Sequence, residues 1–204
     1  RHHLMPSPHD TYTRCDDLEA LPILHRVNWD FELTLLANTL LPESTVLQVG
    51  CMDGTRIRRL LLKRPDLHMT GVEIDAELVD AAKKNLDTNQ KDIPIVHGDI
   101  TDTNLAKQLD HFDYALCLNN TIGYIADEAA AISNMTKLAD QVMISVYGEA
   151  FTDELATEYC GCLGLEVESI EGDVITCKDF GMIKRYTRNE VEQWNGDIIE
   201  TPLG

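Results

Sequence analysis

Residues 46–54, Val46-Leu47-Gln48-Val49-Gly50-Cys51-Met52-Asp53-Gly54, decide the fold. An apolar run stops in a glycine turn and leads into an amphipathic stretch from Thr55, which reads as strand, tight loop and helix. Glycine lets the backbone approach a ligand closely, and a helix N-terminus directs free N–H groups at it. Many α/β proteins carry the same turn with no ligand there, so the flanking segments must decide.

Downstream, His68–Ile74 is a β-prone run ending in Glu73-Ile74-Asp75, and Ala76–Leu86 reads as a helix with Asp75 as its N-cap. Strand, turn, helix, strand is one βαβ unit of a parallel sheet. Glu73 lies 23 residues after Gly50, at the carboxyl end of the second strand. In a doubly wound sheet a carboxylate there faces a ribose hydroxyl pair. A third strand over Ile93–His97 ends in Gly98-Asp99-Ile100, where Asp99 is placed to accept from an exocyclic amine such as that of adenine. A helical turn over Leu105–Leu109 follows. The fourth strand, Phe112–Leu118, empties into Asn119-Asn120-Thr121-Ile122-Gly123-Tyr124. Successive strand ends thus carry polar or glycine residues, and ligands bind outside the carboxyl ends of such strands.

Composition narrows the partners. The 204 residues suffice for one domain with decoration. Asp plus Glu number 35 against 17 Lys plus Arg, a net charge of −18, and a field of that sign repels nucleic-acid backbones. The basic run Arg56, Arg58, Arg59, Lys63 and Arg64 has helical spacing and reads as a solvated face. No apolar stretch reaches membrane-spanning length and no charged-then-apolar leader opens the chain, so a soluble, cytoplasmic protein is expected. The six cysteines form no disulfide framework and read as free thiols. Cys160-Gly161-Cys162 is a weak redox or metal candidate. The scattered histidines form no metal box, so no metal is expected.

Upstream, residues 1–17 read as a loosely held arm, and Leu18–Leu41 carries apolar residues at helical spacing up to Pro42. Tyr12 and Trp29 read as aromatics packing the arm onto a core. Beyond Asp127 the pattern gives a helix to Ala139, a fifth strand over Gln141–Tyr147 and a helix over Ala150–Cys162. A hairpin of Leu165–Ile170 and Val174–Lys178 turns around Glu171-Gly172-Asp173. Gly181–Thr187 adds or extends a strand, and Arg188–Trp194 reads as a short helix.

Four in-order segments resemble the class I S-adenosylmethionine-dependent methyltransferases, over about residues 45–148. Residues 46–54 resemble that family's first motif and Gly71-Val-Glu-Ile-Asp75 its second-strand motif. His97-Gly-Asp-Ile100 resembles the adenine-side motif and Phe112-Asp-Tyr-Ala-Leu-Cys-Leu-Asn119 the fourth. The resemblance implies that Gly50, Cys51 and Gly54 wrap the methionine end of S-adenosylmethionine. Glu73 would hold the ribose and Ile74 would pack on the adenine; Asp99 would take the adenine amine, with Ile100 donating from its backbone. Asn119 would sit beside the sulfonium. Two positions depart from the pattern: Gln48 stands where the family usually has an acid, and Met52 where it has a middle glycine. Gln48 cannot supply negative charge toward the cofactor ammonium, although it can accept a hydrogen bond.

The expected fold is α/β, Rossmann-like and doubly wound, a mostly parallel seven-stranded sheet with helices on both faces and a C-terminal antiparallel hairpin. Residues 1–41 are expected to form an arm and helix capping the site, and 42–204 the methyltransferase domain, decorated from about 165. The expected function is methyl transfer from S-adenosylmethionine to a small-molecule acceptor. Tyr124, Tyr147, Arg185 and Tyr186 are acceptor-pocket candidates, and no catalytic base is named. The alternatives are an aminopropyl transferase of the spermidine synthase kind, and a protein that keeps the fold for interaction but not for chemistry. The neutral Asn119 and Asn120 weigh against the first, because that family expects an acid at the fourth strand end.

Overall fold

A computed structural model of the chain describes residues 8–87 and 91–204. The first seven residues of the expected arm lie outside the described residues. The chain divides into two compact units, one of Leu33–Ser145 and one that joins the described part of Arg1–Glu32 to Val146–Gly204. Helix α2 (Ile23–Thr39) contributes to both.

The larger unit is a five-stranded parallel sheet of order β3-β2-β1-β4-β5. Its strands are β1 (Thr45–Val49), β2 (His68–Glu73), β3 (Ile95–His97), β4 (Phe112–Cys117) and β5 (Ala139–Ile144). The helices in sequence are α3 (Thr55–Lys63), α4 (Ala76–Asn85), α5 (Leu105–Gln108) and α6 (Glu128–Leu138). From β1 the chain steps outward through β2 to β3, then returns to place β4 on the other side of β1. Right-handed crossovers in opposite directions set the helices on opposite faces. The strand order therefore reverses between β1 and β4, where such sheets open a crevice.

Strand β1 lies at the centre because Val46, Leu47 and Val49 are all buried between flanking layers. Each such side chain contributes about 1.5–3 kcal/mol on transfer from water. Asp75 caps α4 as the sequence requires, its Oδ1 accepting from the N–H groups of Glu77 (2.9 Å) and Leu78 (3.0 Å).

The expectation of seven strands in one sheet is corrected: five strands are parallel, and the last three form a separate antiparallel sheet of order β6-β7-β8. These are β6 (Val167–Glu171), β7 (Val174–Cys177) and β8 (Gly181–Lys184). A turn at Gly172-Asp173 pairs Glu171 with Val174, and β8 pairs along the other edge of β7. Both edges of β7 are thus satisfied locally. Alternation of side chains reveals a strand but not the sheet it joins.

In the smaller unit, part of the expected arm is helix α1 (Pro8–Cys15), and α7 (Asp153–Cys162) and α8 (Arg188–Glu192) follow in sequence. Tyr12 sets its ring 5.6 Å from that of Phe180. Thr187 and Glu190 form a reciprocal capping box at the start of α8. Cys160 faces Cys177 rather than Cys162, with the two sulfurs 3.5 Å apart. Hydrogen bonding to Cys177 and burial push the Cys160 thiol up, while the contact from Cys160 lowers Cys177. Five of the six cysteines are buried and Cys162 is half-buried. A thiol reagent on native protein is therefore expected to modify Cys162 first and the others only on unfolding; native labelling of Cys160 or Cys177, read by peptide mapping, would contradict this packing. Among the described residues no helix is long and apolar enough to cross a membrane.

Candidate functional site

The loop after β1 is a tight wrap around the end of β2. The N–H groups of Gly50 (2.9 Å) and Cys51 (3.2 Å) donate to the carbonyl of Val72, and Gly54 N–H closes back on Cys51 O at 3.0 Å. Gly50 sits at φ +68°, and a Cβ there would meet Thr121 Cγ2 at 2.7 Å, so only glycine fits. Gly54 at φ +86° occupies the N-cap position of α3, where a Cβ would strike Leu86 at 2.8 Å. Asp53 Oδ1 accepts from Thr55 N–H at 3.0 Å in the first turn of α3.

Glu73 holds this loop. It is buried at the end of β2, and its Oε2 accepts from Met52 N–H at 3.0 Å. Oε1 accepts from the N–H groups of Ile74 (2.9 Å) and Asp75 (3.1 Å). A carboxylate has about four acceptor positions, so three bonds leave one for a ligand hydroxyl. Met52 lies in the left-handed region at φ +55°, its side chain buried, with its N–H aimed at Glu73. Its bulk is accommodated inside the protein, and the loop keeps its tight path.

Next to Glu73, just beyond the end of β2, Ile74 is 60% exposed. His97 Nε2 lies 2.9 Å from Ile74 O and fixes that backbone. Asp99 is exposed, one of its oxygens accepting from Thr101 N–H (2.9 Å) and Thr101 Oγ1 (2.8 Å). Ile100 is buried, and its carbonyl accepts from Asn134 Nδ2 of α6 at 2.8 Å. Asn134 is a support that its sequence context does not advertise.

At the end of β4 two consecutive residues, Asn119 (φ +51°) and Asn120 (φ +59°), adopt the left-handed conformation. Asparagine tolerates it better than most residues, and the pair reverses the chain into a 3₁₀ turn at Thr121–Tyr124. Ser145 pins the reversal: its Oγ accepts from Asn119 N–H at 2.8 Å and its carbonyl from Asn120 N–H at 3.0 Å. Arg56 is buried, which corrects its expected place on a solvated face. Its Nη1 donates to Thr121 Oγ1 at 3.1 Å and to Leu118 O at 3.4 Å. Arg64 also leaves that face, donating to Ala37 O (2.9 Å) and Leu40 O (2.7 Å) and pairing with Asp66. Helical spacing showed a basic stripe, and it could not show which arginines turn inward.

Two polar atoms at the ends of the adjacent strands β1 and β4 are buried without a partner: Gln48 Nε2, on a residue 1% exposed, and Asn119 Oδ1, on a residue 6% exposed. A buried donor and a buried acceptor left unmade each cost about 1–3 kcal/mol. They flank the point where strand order reverses. Gly50, Cys51, Gly54, Glu73, Ile74, Asp99, Ile100 and Asn119 all belong to the larger unit, as does Tyr124, which is half-buried.

Tyr147, Arg185 and Tyr186 belong to the smaller unit. Tyr147 packs in an aromatic cluster with Phe151, Tyr159 and His25. Arg185 donates to Phe151 O (2.8 Å), Gly172 O (2.8 Å) and Asp153 Oδ1 (2.6 Å). Tyr186 is buried with its ring 5.5 Å from that of Trp194.

A parallel sheet with reversed strand order and a glycine turn at its central strand defines a Rossmann-like protein. Residues 46–141 match the family model described as a methyltransferase domain. DesVI of Streptomyces venezuelae shares the fold at a TM-score of 0.57 and 17% identity, covering 82% of each chain. CalS10, an amino pentose methyltransferase of Micromonospora echinaspora solved with S-adenosylmethionine bound, aligns at 0.56 and 16% identity over 81% of this chain and 80% of that one. A S-adenosylmethionine-dependent methyltransferase of Clostridium acetobutylicum aligns at 0.55 and 14% identity, over 90% of this chain and 78% of its own. No curated protein sequence matches the chain. Residues 46–141, just under half of the chain, thus match a methyltransferase domain, and the fold is one shared with S-adenosylmethionine-dependent methyltransferases.

Proposed function

We propose that the chain is a methyltransferase that binds S-adenosylmethionine in the larger unit and methylates a small-molecule acceptor by in-line transfer. The observation that carries this reading is the Glu73 carboxylate, buried at the end of β2 and tied to the loop after β1. The unsatisfied Gln48 and Asn119 atoms at the strand-order reversal support it.

S-adenosylmethionine, when bound, supplies an electrophilic methyl group on a sulfonium. Glu73 keeps one acceptor position for a ribose hydroxyl, and the exposed face of Ile74 offers the adenine a platform. The Asp99 oxygen not engaged by Thr101 accepts from the adenine amine, with Ile100 N–H beside it. Gly50, Cys51 and Gly54 keep the loop thin enough for the methionine end. Gln48 holds the amino-acid portion by hydrogen bonding, and Asn119 Oδ1 faces the positive sulfur. The protein's part in catalysis is alignment and exclusion of water, since the methyl group is already activated. Free thiols throughout the chain suit a reducing, cytoplasmic setting. CalS10 is described as acting on an amino pentose, which accords with a small-molecule acceptor.

The Asn119 assignment is separable from folding. Asn119→Gly removes the unpartnered oxygen and suits φ +51°. Stability is expected to stay within about 1 kcal/mol. Affinity for S-adenosylmethionine is expected to fall roughly 10-fold, the loss of one electrostatic contact between the amide oxygen and the positive sulfur. Thermal unfolding and calorimetry on the same preparation check both, and unchanged affinity would remove Asn119 from the site. Formation of S-adenosylhomocysteine with a panel of small acceptors tests the activity itself.

A further inference from the structure

Two buried thiols of the smaller unit face each other. Cys160 lies on α7 and Cys177 ends β7; they are 0% and 2% exposed, and their sulfurs stand 3.5 Å apart between helix and sheet. The backbone at both ends is held. Cys160 O accepts from the N–H groups of Leu163 (3.1 Å) and Leu165 (2.8 Å), and beside Cys177 the N–H of Lys178 donates to Glu166 O at 2.9 Å. The neighbouring thiols are placed differently. Cys162 is half-buried and lies two residues from Cys160 on α7, a spacing at which side chains do not share a helix face. Cys15 Sγ donates to Thr11 O at 3.6 Å and lies 3.7 Å from the Tyr159 hydroxyl.

We propose that Cys160 and Cys177 are a redox modification site: with a small disulfide such as glutathione disulfide they form a reversible covalent clasp between α7 and β7. A disulfide needs its sulfurs about 2.05 Å apart. Starting from contact, the pair closes that gap by side-chain rotation, and the hydrogen-bonded backbone at each end stays in place. Two exchanges install the bond. The Cys177 thiolate attacks one sulfur of glutathione disulfide, whose S–S bond breaks, and one glutathione thiolate leaves. The Cys160 thiolate then attacks the Cys177 sulfur of the mixed disulfide, and the second glutathione thiolate leaves. Two protein thiols are oxidised, and one glutathione disulfide is reduced to two thiols. Cys177 attacks first because its sulfur accepts the Cys160 S–H, which lowers its pKa, while that same bond and burial raise the pKa of Cys160. A tripeptide left on Cys177 has no room in a core that closes off both sulfurs, so folding favours its expulsion by Cys160. Burial also sets the route: the exchange runs as the chain folds or opens locally, not on the closed protein. Nothing in the clasp depends on methyl transfer.

The test unfolds the full chain in urea, lets it refold in mixtures of oxidised and reduced glutathione, blocks the remaining thiols and maps the linked peptides. Cys160 joined to Cys177 is expected as the main product. The two cysteines are 17 residues apart in sequence, and joining them restricts the unfolded chain. The linked protein is therefore expected to unfold roughly 5–10 °C above the reduced one, and to return to the lower midpoint with dithiothreitol. Cys162→Ser is expected to leave both the linkage and the shift intact. Linkage of Cys160 to Cys15 or Cys162 as the main product, a pair that stays reduced in fully oxidised glutathione, or a linked protein that melts no higher than the reduced one would overturn the proposal. The peptide map of the parent chain reads the pairing directly, so the result does not hang on the folding of any cysteine variant.

Discussion

Glu73→Gln is expected to weaken S-adenosylmethionine binding by about 1–3 kcal/mol, roughly 10- to 100-fold, and to destabilise the protein by a further few kcal/mol. The carboxylate accepts three backbone N–H bonds, from Met52, Ile74 and Asp75. An amide in its place turns an N–H₂ group toward at least one of these donors, leaving a buried N–H unpaired at about 1–3 kcal/mol. The loop after β1 loses its anchor at Met52 in the same step, so affinity and stability fall together. Glu73→Ala removes every acceptor and should be worse on both counts. Calorimetric titration and chemical unfolding of the two variants check this. Unchanged affinity in a folded Glu73→Ala variant would remove Glu73 from the cofactor site.

The second large effect is acid sensitivity. Burial pushes the His25 pKa from 6.5 down to about 4, so the unfolded chain binds a proton that the folded one refuses. Between those two values stability rises with pH. The contribution is complete above about pH 6.5 and is lost as pH falls toward 4, at a cost of about 3 kcal/mol. His111 acts in the opposite sense. Its hydrogen bond to Asp140 raises its pKa, so its contribution is present below pH 6.5 and fades as pH climbs past that raised value. Comparison with His25→Phe isolates the first effect. Denaturant unfolding at pH 5 and pH 7.5 should show a much smaller pH difference in the variant than in the parent. Equal differences in both would mean that His25 titrates normally.

Much of the larger unit was legible because its signals are local. The apolar run Val46–Val49 and the glycine turn mark β1 and the start of α3 at Thr55. Asp75 declares its cap by residue type and position. Glu73 could be placed by its distance from Gly50 because a βαβ unit of ordinary size fixes which residue ends the second strand. The 3₁₀ turn after β4 escaped, since Asn119-Asn120 announces a reversal without its hydrogen bonds to Ser145. Arg56 and Arg64 escaped for the reason that hides most tertiary contacts: one helix pattern suits a cation in water or a cation on a buried carbonyl. The burial of polar residues on α2 was also invisible. Trp29, Leu33 and Leu36 mark a buried face of α2, and nothing in the sequence says that His25 and Asn28 are buried with them.

Calorimetric titration of the purified chain with S-adenosylmethionine, S-adenosylhomocysteine and decarboxylated S-adenosylmethionine tests the central claim most directly. Saturable micromolar binding of the first two, lost in Glu73→Ala, is the expected result. Preference for the decarboxylated compound, or binding of none of the three, would contradict it.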